Sequence, residues 1–230
     1  MTILKEWNEL PQELQIDEVK PYYELLRKKS KSLFIKRLFD IIVSLVMLIA
    51  ISPALIIIAI LIDRDSEGGV FYRQERVTQY GKKFKIHKFR TMVANADQIG
   101  SAVTTGNDSR VTKIGETLRK YRLDELPQLI DILEGNMSFV GTRPEVTKYV
   151  EQYTPEMMAT LLLPAGVTSK ASIKYKDEAE LLDASNDVDK TYIEVVLPEK
   201  MKYNLEALMN FNCITDLMLM VETVVAVIKG

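Results

Sequence analysis

The chain has 230 residues, 47% hydrophobic and 27% charged, a balance that suits a folded domain with a sizeable core and excludes wholesale disorder. A single cysteine, Cys213, excludes an internal disulfide framework and a cysteine-based zinc site, and a single histidine, His87, excludes a histidine-rich metal cluster. The formal net charge of −2 conceals strong local segregation, and the charged opening residues lack the apolar core of a signal peptide.

Residues 1–32 read as a charged amphipathic lead-in helix at a membrane surface or against a partner. The segment from Ile41 to Ile62 then carries no charge at all. As a helix it would run about 33 Å, close to the ~30 Å hydrocarbon core of a bilayer. An ordinary core helix keeps a polar face, and this segment has none. Ser52-Pro53 divides it into halves that each reach about halfway into a bilayer.

Both ends of the segment are basic. Arg27, Lys28, Lys29, Lys31, Lys36 and Arg37 precede it against Asp40, while Arg73, Arg76, Lys82, Lys83, Lys85, Lys88 and Arg90 follow it against Glu75. Lysine and arginine mark the cytoplasmic side of a membrane segment, so both flanks ask for the same side. Residues 33–66 are therefore expected to form a re-entrant helix broken at Ser52-Pro53, which satisfies both flanks where a span would satisfy one.

Residues 67–230 read as a cytoplasmic-face catalytic part with interfacial helices. Two short strands or a hairpin turning at Gly81 are expected over 70–93, then a polar surface loop over 94–112. Helical patterns follow at Gly115–Tyr121, Pro127–Leu133, Glu145–Tyr153 and Pro155–Leu163, with Gly135 just past the second and Pro164-Ala165-Gly166 ending the last. The acidic stretch 176–200 reads as a solvated face. The apolar tail from Asp216 to Ile228, too short to span, reads as a docked or membrane-resting helix. The fold class is α+β, mostly helical, in one monotopic membrane-associated domain. His87 is expected on the surface, Cys213 buried and inert, and Trp7, Tyr22 and Tyr23 at the lipid interface.

The densest chemistry lies in Arg119-Lys120-Tyr121-Arg122-Leu123-Asp124-Glu125-Leu126-Pro127. Two carboxylates ahead of a helix start are explained blandly by capping and dipole compensation. The functional reading has the cations hold an anionic substrate, one carboxylate serving as nucleophile and the other as a Mg²⁺ ligand beside substrate phosphates. A second set, Gly135 to Pro144, offers close backbone approach and an arginine fork for phosphate at Arg143. The third, Lys88-Phe89-Arg90-Thr91-Met92, interleaves base and aromatic, but the adjoining apolar segment and acidic balance argue against nucleic acid.

Taken in order, these pieces resemble the bacterial sugar transferases of the monotopic phosphoglycosyl transferase family. The resemblance is carried by Lys36-Arg37-x-x-Asp40, Ser52-Pro53, Gln74-x-Arg76, Lys88-Phe89-Arg90-Thr91-Met92, Arg119-Lys120, Leu123-Asp124-Glu125-Leu126-Pro127-Gln128-Leu129 and Gly135-x-Met137-Ser138-x-Val140-Gly141-x-Arg143-Pro144, over about residues 33–220. It implies transfer of a sugar 1-phosphate from a UDP-sugar to a polyprenol phosphate with release of UMP, initiating polysaccharide or glycoconjugate synthesis at the bacterial inner membrane. It implies Asp124 as the nucleophile that forms a covalent phosphosugar intermediate and Glu125 as the Mg²⁺ ligand. Lys88, Arg90, Arg143 and Pro144 would line the donor site, Arg119 would bind substrate, and Lys36 and Arg37 would meet the lipid phosphate or anionic headgroups. Membrane lipid is an implied partner, and a homo-oligomer is left open.

The sequence departs from the family pattern at three places. Thr142 stands where the family usually has proline, and Thr78 where a turn glycine is common. The usual Arg-Pro-Gly-Ile-Thr-Gly reads here Pro164-Ala165-Gly166-Val167-Thr168-Ser169, which removes an arginine and leaves Lys170 as the nearby candidate to replace it. The chain resembles the minimal form, without the four-helix membrane extension of larger relatives. The divergent segment and the acidic stretch motivate the alternative reading, a non-catalytic membrane-anchored assembly or regulatory subunit.

Overall fold

The computed structural model describes residues 4–96, 108–175, 178, 182 and 187–229. Most of the polar loop expected over 94–112 and most of the acidic stretch before residue 187 lie outside them. The fold is mostly helical with three two-stranded sheets among the described residues.

The opening segment is no single helix. Pro11 and Pro21 break it into two short 3-10 turns, Trp7–Glu9 and Gln12–Leu14, and helix α1, Lys20–Lys28, which carries Pro21 in its first turn. Leu4, Leu10, Leu14, Val19, Tyr23 and Leu26 are buried against Ala159, Leu161, Leu162, Leu208 and Phe211. The lead-in thus packs into this chain's own core, with Tyr23 among the buried residues and Trp7 and Tyr22 partly buried against it.

Helix α2, Ser30–Asp65, holds the whole apolar segment. It is helical without interruption through Pro53, so the expected helix-break-helix is not seen as two separate helices. Its exposed face is apolar along its length, from Phe34 and Ile35 through Ile49 to Ile60 and Leu61. The opposite stripe packs on the body in two places. Phe39, Val43, Met47, Leu48 and Ile51 lie on Phe84, Leu129, Ile132 and Phe139, whereas Leu55, Ile58, Ala59 and Ile62 lie on Phe89 and Leu118.

The expected hairpin is present as two nested antiparallel pairs. Strand β1, Phe71–Tyr72, pairs with β4, Lys88–Phe89, and inside them β2, Glu75–Val77, pairs with β3, Lys83–Lys85. Helix α3, Lys113–Lys120, leads to a 3-10 turn at Leu123–Glu125 and then to helix α4, Gln128–Glu134. Gly135 ends α4 at φ 85°, a left-handed conformation that suits glycine.

Two expected helices are much shorter than their patterns. Helix α5 covers Thr147–Val150, and Met157–Leu162 forms a 3-10 run. The stretches around them instead join a parallel pair that the sequence did not signal, β5, Met137–Val140, with β6, Ala165–Thr168. At their exit Gly141 and Gly166 meet backbone to backbone, and a Cβ on Gly166 would stand 2.1 Å from Gly141 N. The divergent segment therefore builds the sheet.

Helix α6, Lys170–Lys174, follows. Helix α7, Val188–Thr191, a π-turn, Tyr192–Val196, and helix α8, Leu197–Met209, then run end to end. Tyr192, Val196 and Leu197 are buried, so this part of the acidic stretch turns one face into the core while Asp187, Lys190, Glu194 and Val195 stay exposed on the other. Helix α9, Cys213–Lys229, carries the apolar tail and leaves Ile214, Leu217, Met218, Val221, Val224 and Val225 exposed.

Candidate active site

Asp124 and Glu125 sit in the 3-10 turn between α3 and α4. Glu125 Oε1 accepts from Lys88 Nζ at 2.9 Å and from Arg143 Nη2 at 2.6 Å. One carboxylate oxygen thus ties together the start of β4, the turn before α4 and the loop after β5. Burial works against ionisation of Glu125, but the charges of Arg143 and Lys88 overcome it and hold the carboxyl well below the usual range. Burial weakens the Lys88 ammonium, opposed by Glu125.

Asp124 differs from its neighbour. Its Oδ1 is buried and has no hydrogen-bond partner among the described residues. Burial raises its carboxyl above the usual aspartate range despite the attraction of Lys88. Adjacent carboxylates pushed in opposite directions are the arrangement by which one site assigns two roles. Arg119, from the last turn of α3, faces Asp124 electrostatically, and burial lowers its guanidinium.

Of the residues singled out in the sequence, the structure brings together Asp124, Glu125, Lys88, Arg143 and Arg119. Pro144 adjoins them, its carbonyl accepting from Arg76 Nη1 at 3.1 Å. Arg90 lies elsewhere: its guanidinium donates to Gly69 O, Glu67 O, Ser66 O and Ser66 Oγ, closing the turn after α2. Arg37 donates to Ile132 O and Leu133 O, satisfying carbonyls at the C-terminus of α4. Lys36 pairs with Asp216 at 2.8 Å and joins α2 to α9. Lys170, the residue nearest in sequence to the missing arginine, pairs on the surface with Glu206 at 3.2 Å.

The profile of the family described as bacterial sugar transferase matches residues 31–230. The chain belongs to that family. It is 32% identical over 200 residues to the UDP-N-acetylgalactosamine-undecaprenyl-phosphate N-acetylgalactosaminephosphotransferase of Aeromonas hydrophila, covering 86% of this chain and 44% of that protein. It is 43% identical over 154 residues to the UDP-glucose:undecaprenyl-phosphate glucose-1-phosphate transferase of Klebsiella pneumoniae, covering 64% of this chain and 33% of that protein. The exopolysaccharide production protein ExoY of Sinorhizobium fredii matches at 31% over 207 residues, 84% of each chain. The chain thus spans less than half the length of the first two of these bacterial sugar transferases.

Behind the carboxylates of this family member lies a layer that sequence reasoning did not place in the site. Arg76 is half-buried, donating also to Gln74 Oε1 at 2.5 Å, with its buried Nε unpartnered among the described residues. The Gln74-x-Arg76 spacing was its available signal, since residues two apart share one face of a strand. Beyond it, Tyr192 donates to Glu145 Oε1 at 2.6 Å and Lys200 donates to Glu178 Oε2 at 2.9 Å and to Tyr192 at 3.2 Å. No local pattern announces that set. His87 is also not a surface residue: its ring Nδ1 and backbone N both meet the fully buried Asp131, each at 2.8 Å. Cys213 is half-buried near Ser32 O, and burial raises its thiol.

Proposed function

We propose that the chain transfers a sugar 1-phosphate from a UDP-sugar to a polyprenol phosphate at a membrane surface and releases UMP. One observation carries the reading. An aspartate with a buried, unpartnered oxygen sits among the charges of Lys88, Arg119 and Arg122, one residue after Leu123, which packs against a cluster that includes Ile62 of the long apolar helix. Phosphoryl transfer asks a protein for positioning and charge more than for acid-base groups. A polyprenol phosphate delivers its phosphate at the bilayer surface, where this helix would hold the site. The names of the relatives, which include UDP-sugars and undecaprenyl phosphate, support the same substrates.

In the first step Asp124 attacks the β-phosphorus of the donor. A carboxylate oxygen–phosphorus bond forms, the bond to the bridging oxygen breaks, and UMP leaves with the electron pair. In the second step an oxygen of the polyprenol phosphate attacks that phosphorus and Asp124 is released as carboxylate, leaving a polyprenol diphosphosugar. Lys88 and Arg143 orient Glu125 and face the donor phosphates.

Hard oxygen donors beside a diphosphate fit Mg²⁺. Both cations of Glu125 meet its Oε1, so Oε2 of Glu125, with the unpartnered Asp124 oxygen nearby, is the candidate to hold it. When bound, Mg²⁺ would neutralise charge on the diphosphate.

We read α2 as re-entrant in the bacterial inner membrane, with the catalytic part facing the cytoplasm. In support, its near end docks through Arg37 on α4 and its far end through Asp65, whose Oδ2 accepts from Ile114 N at 3.3 Å. Both ends thus meet one body, and both flanks are basic. With Cys213→Ser as background, Lys31→Cys and Asp63→Cys should label from the same side of a sealed vesicle; opposite-side labelling replaces the hairpin with a span.

The reaction is tested with detergent-solubilised protein, Mg²⁺, undecaprenyl phosphate and a panel of UDP-sugars. UMP release is expected, and UDP release would overturn phosphosugar transfer. Quenching mid-cycle with labelled donor should find the sugar phosphate on Asp124.

A further inference from the structure

We propose that Arg122 receives the phosphate of the lipid acceptor in the second step, an inference that rests on the transfer reaction above. Arg122 holds φ 56° and ψ 24°, a left-handed conformation that residues with a side chain rarely adopt. Its backbone bonds fix that turn, Arg122 N donating to Arg119 O at 3.1 Å and Glu125 N to Arg122 O at 3.3 Å. Strained backbone of this kind gathers at functional sites, where the surrounding structure maintains it. Here it places a long cation at a position that conformation alone would give to glycine.

The side chain points the same way. Arg122 is exposed, and its guanidinium makes no hydrogen bond or ion pair among the described residues. Lys88 and Arg143 are engaged by Glu125 and Lys36 by Asp216, while Arg119 is partly buried beside Asp124. Arg122 nonetheless lies within electrostatic reach of both Asp124 and Glu125. The next residue, Leu123, packs against the buried cluster of Phe89, Leu118 and Ile62, the last of these from the far end of α2, so Arg122 stands where the dyad adjoins the membrane helix. A phosphate carried on a lipid arrives from that side. The planar guanidinium offers a fork to its non-bridging oxygens, while a third acceptor oxygen attacks the phosphorus on Asp124 and the carboxylate leaves.

The donor half-reaction and the acceptor half-reaction separate experimentally. Exchange of labelled UMP into UDP-N-acetylgalactosamine, UDP-glucose or UDP-galactose without acceptor reads the first; turnover against undecaprenyl phosphate in neutral detergent micelles reads the second. Arg122→Ala and Arg122→Gly, the latter accepting the left-handed backbone, should raise KM for undecaprenyl phosphate about tenfold, the loss of one charge-assisted contact. UMP exchange should stay within about twofold of wild type, because one exposed cation outside the donor contacts carries little of that step. Arg122→Lys should recover part of the loss, and Lys113→Ala, which removes an exposed charge at the other end of α3, should leave the acceptor KM unchanged. An equal loss of exchange in Arg122→Ala and Arg122→Gly would assign Arg122 to the donor and overturn the proposal. An acceptor effect confined to vesicles containing anionic lipid would assign it to headgroups and overturn it too. Absence of exchange in the wild-type protein would instead defeat the two-step reading itself.

Discussion

Arg143 and Glu125 meet at 2.6 Å although they belong to different elements, the loop after β5 and the turn before α4. The contact is partly sheltered, and Glu125 shares the same oxygen with Lys88. Replacing Arg143 by lysine keeps the charge but loses the planar fork. Arg143→Lys should lower kcat/KM for UMP release by about tenfold to a hundredfold, and Arg143→Ala by more, measured at fixed Mg²⁺ against donor concentration.

Asp124→Asn keeps the shape of the turn and removes the proposed nucleophile. UMP release should fall to background, and no labelled phosphosugar should be trapped. Full activity in this variant would remove Asp124 from the chemistry.

The two carboxyls predict opposite responses to acid. Asp124 is raised by burial, so as pH falls it takes up its proton in the folded protein before an ordinary aspartate would. UMP release should decline along a limb that lies above the usual aspartate range. Glu125 is lowered, so the stability it contributes is complete above the usual glutamate range and is lost as pH falls through its own depressed value. In thermal melts the deficit of Glu125→Gln relative to wild type should therefore be present at neutral pH and shrink in strong acid.

Arg90 separates a fold role from a substrate role. Its guanidinium closes the turn after α2 through donations to Ser66, Glu67 and Gly69. Arg90→Ala should cost about 2–4 kcal/mol, as loss of several bonds from a buried charged group does, seen as a lower Tm. The protein that remains folded should keep the wild-type donor KM.

Gly166→Ala tests the parallel pair. Its Cβ would stand 2.1 Å from Gly141 N and 2.3 Å from Gly141 O, so the strands must part. A loss of about 1–3 kcal/mol is expected, read as a fall in Tm with a matching loss of activity, because Arg143 lies only two residues after Gly141.

Much of this protein is legible in one dimension because it depends on neighbours in sequence. The uncharged run from Ile41 to Ile62 needs only its own composition to become a long apolar helix. The nested hairpin, the ending of α4 at Gly135 and the pairing of Asp124 with Glu125 are likewise local. What the tertiary structure decided is which distant groups converge. Lys88 and Arg90 are two residues apart on one short stretch, yet one reaches Glu125 and the other closes the turn after α2. Arg37 reads as a phosphate ligand until α4 presents its last carbonyls. The parallel pair β5–β6, the burial of His87 on Asp131 and the Glu145–Tyr192–Lys200 set follow the same rule. A cation's role depends on which acceptor it meets once water is excluded, and that partner comes from another part of the chain.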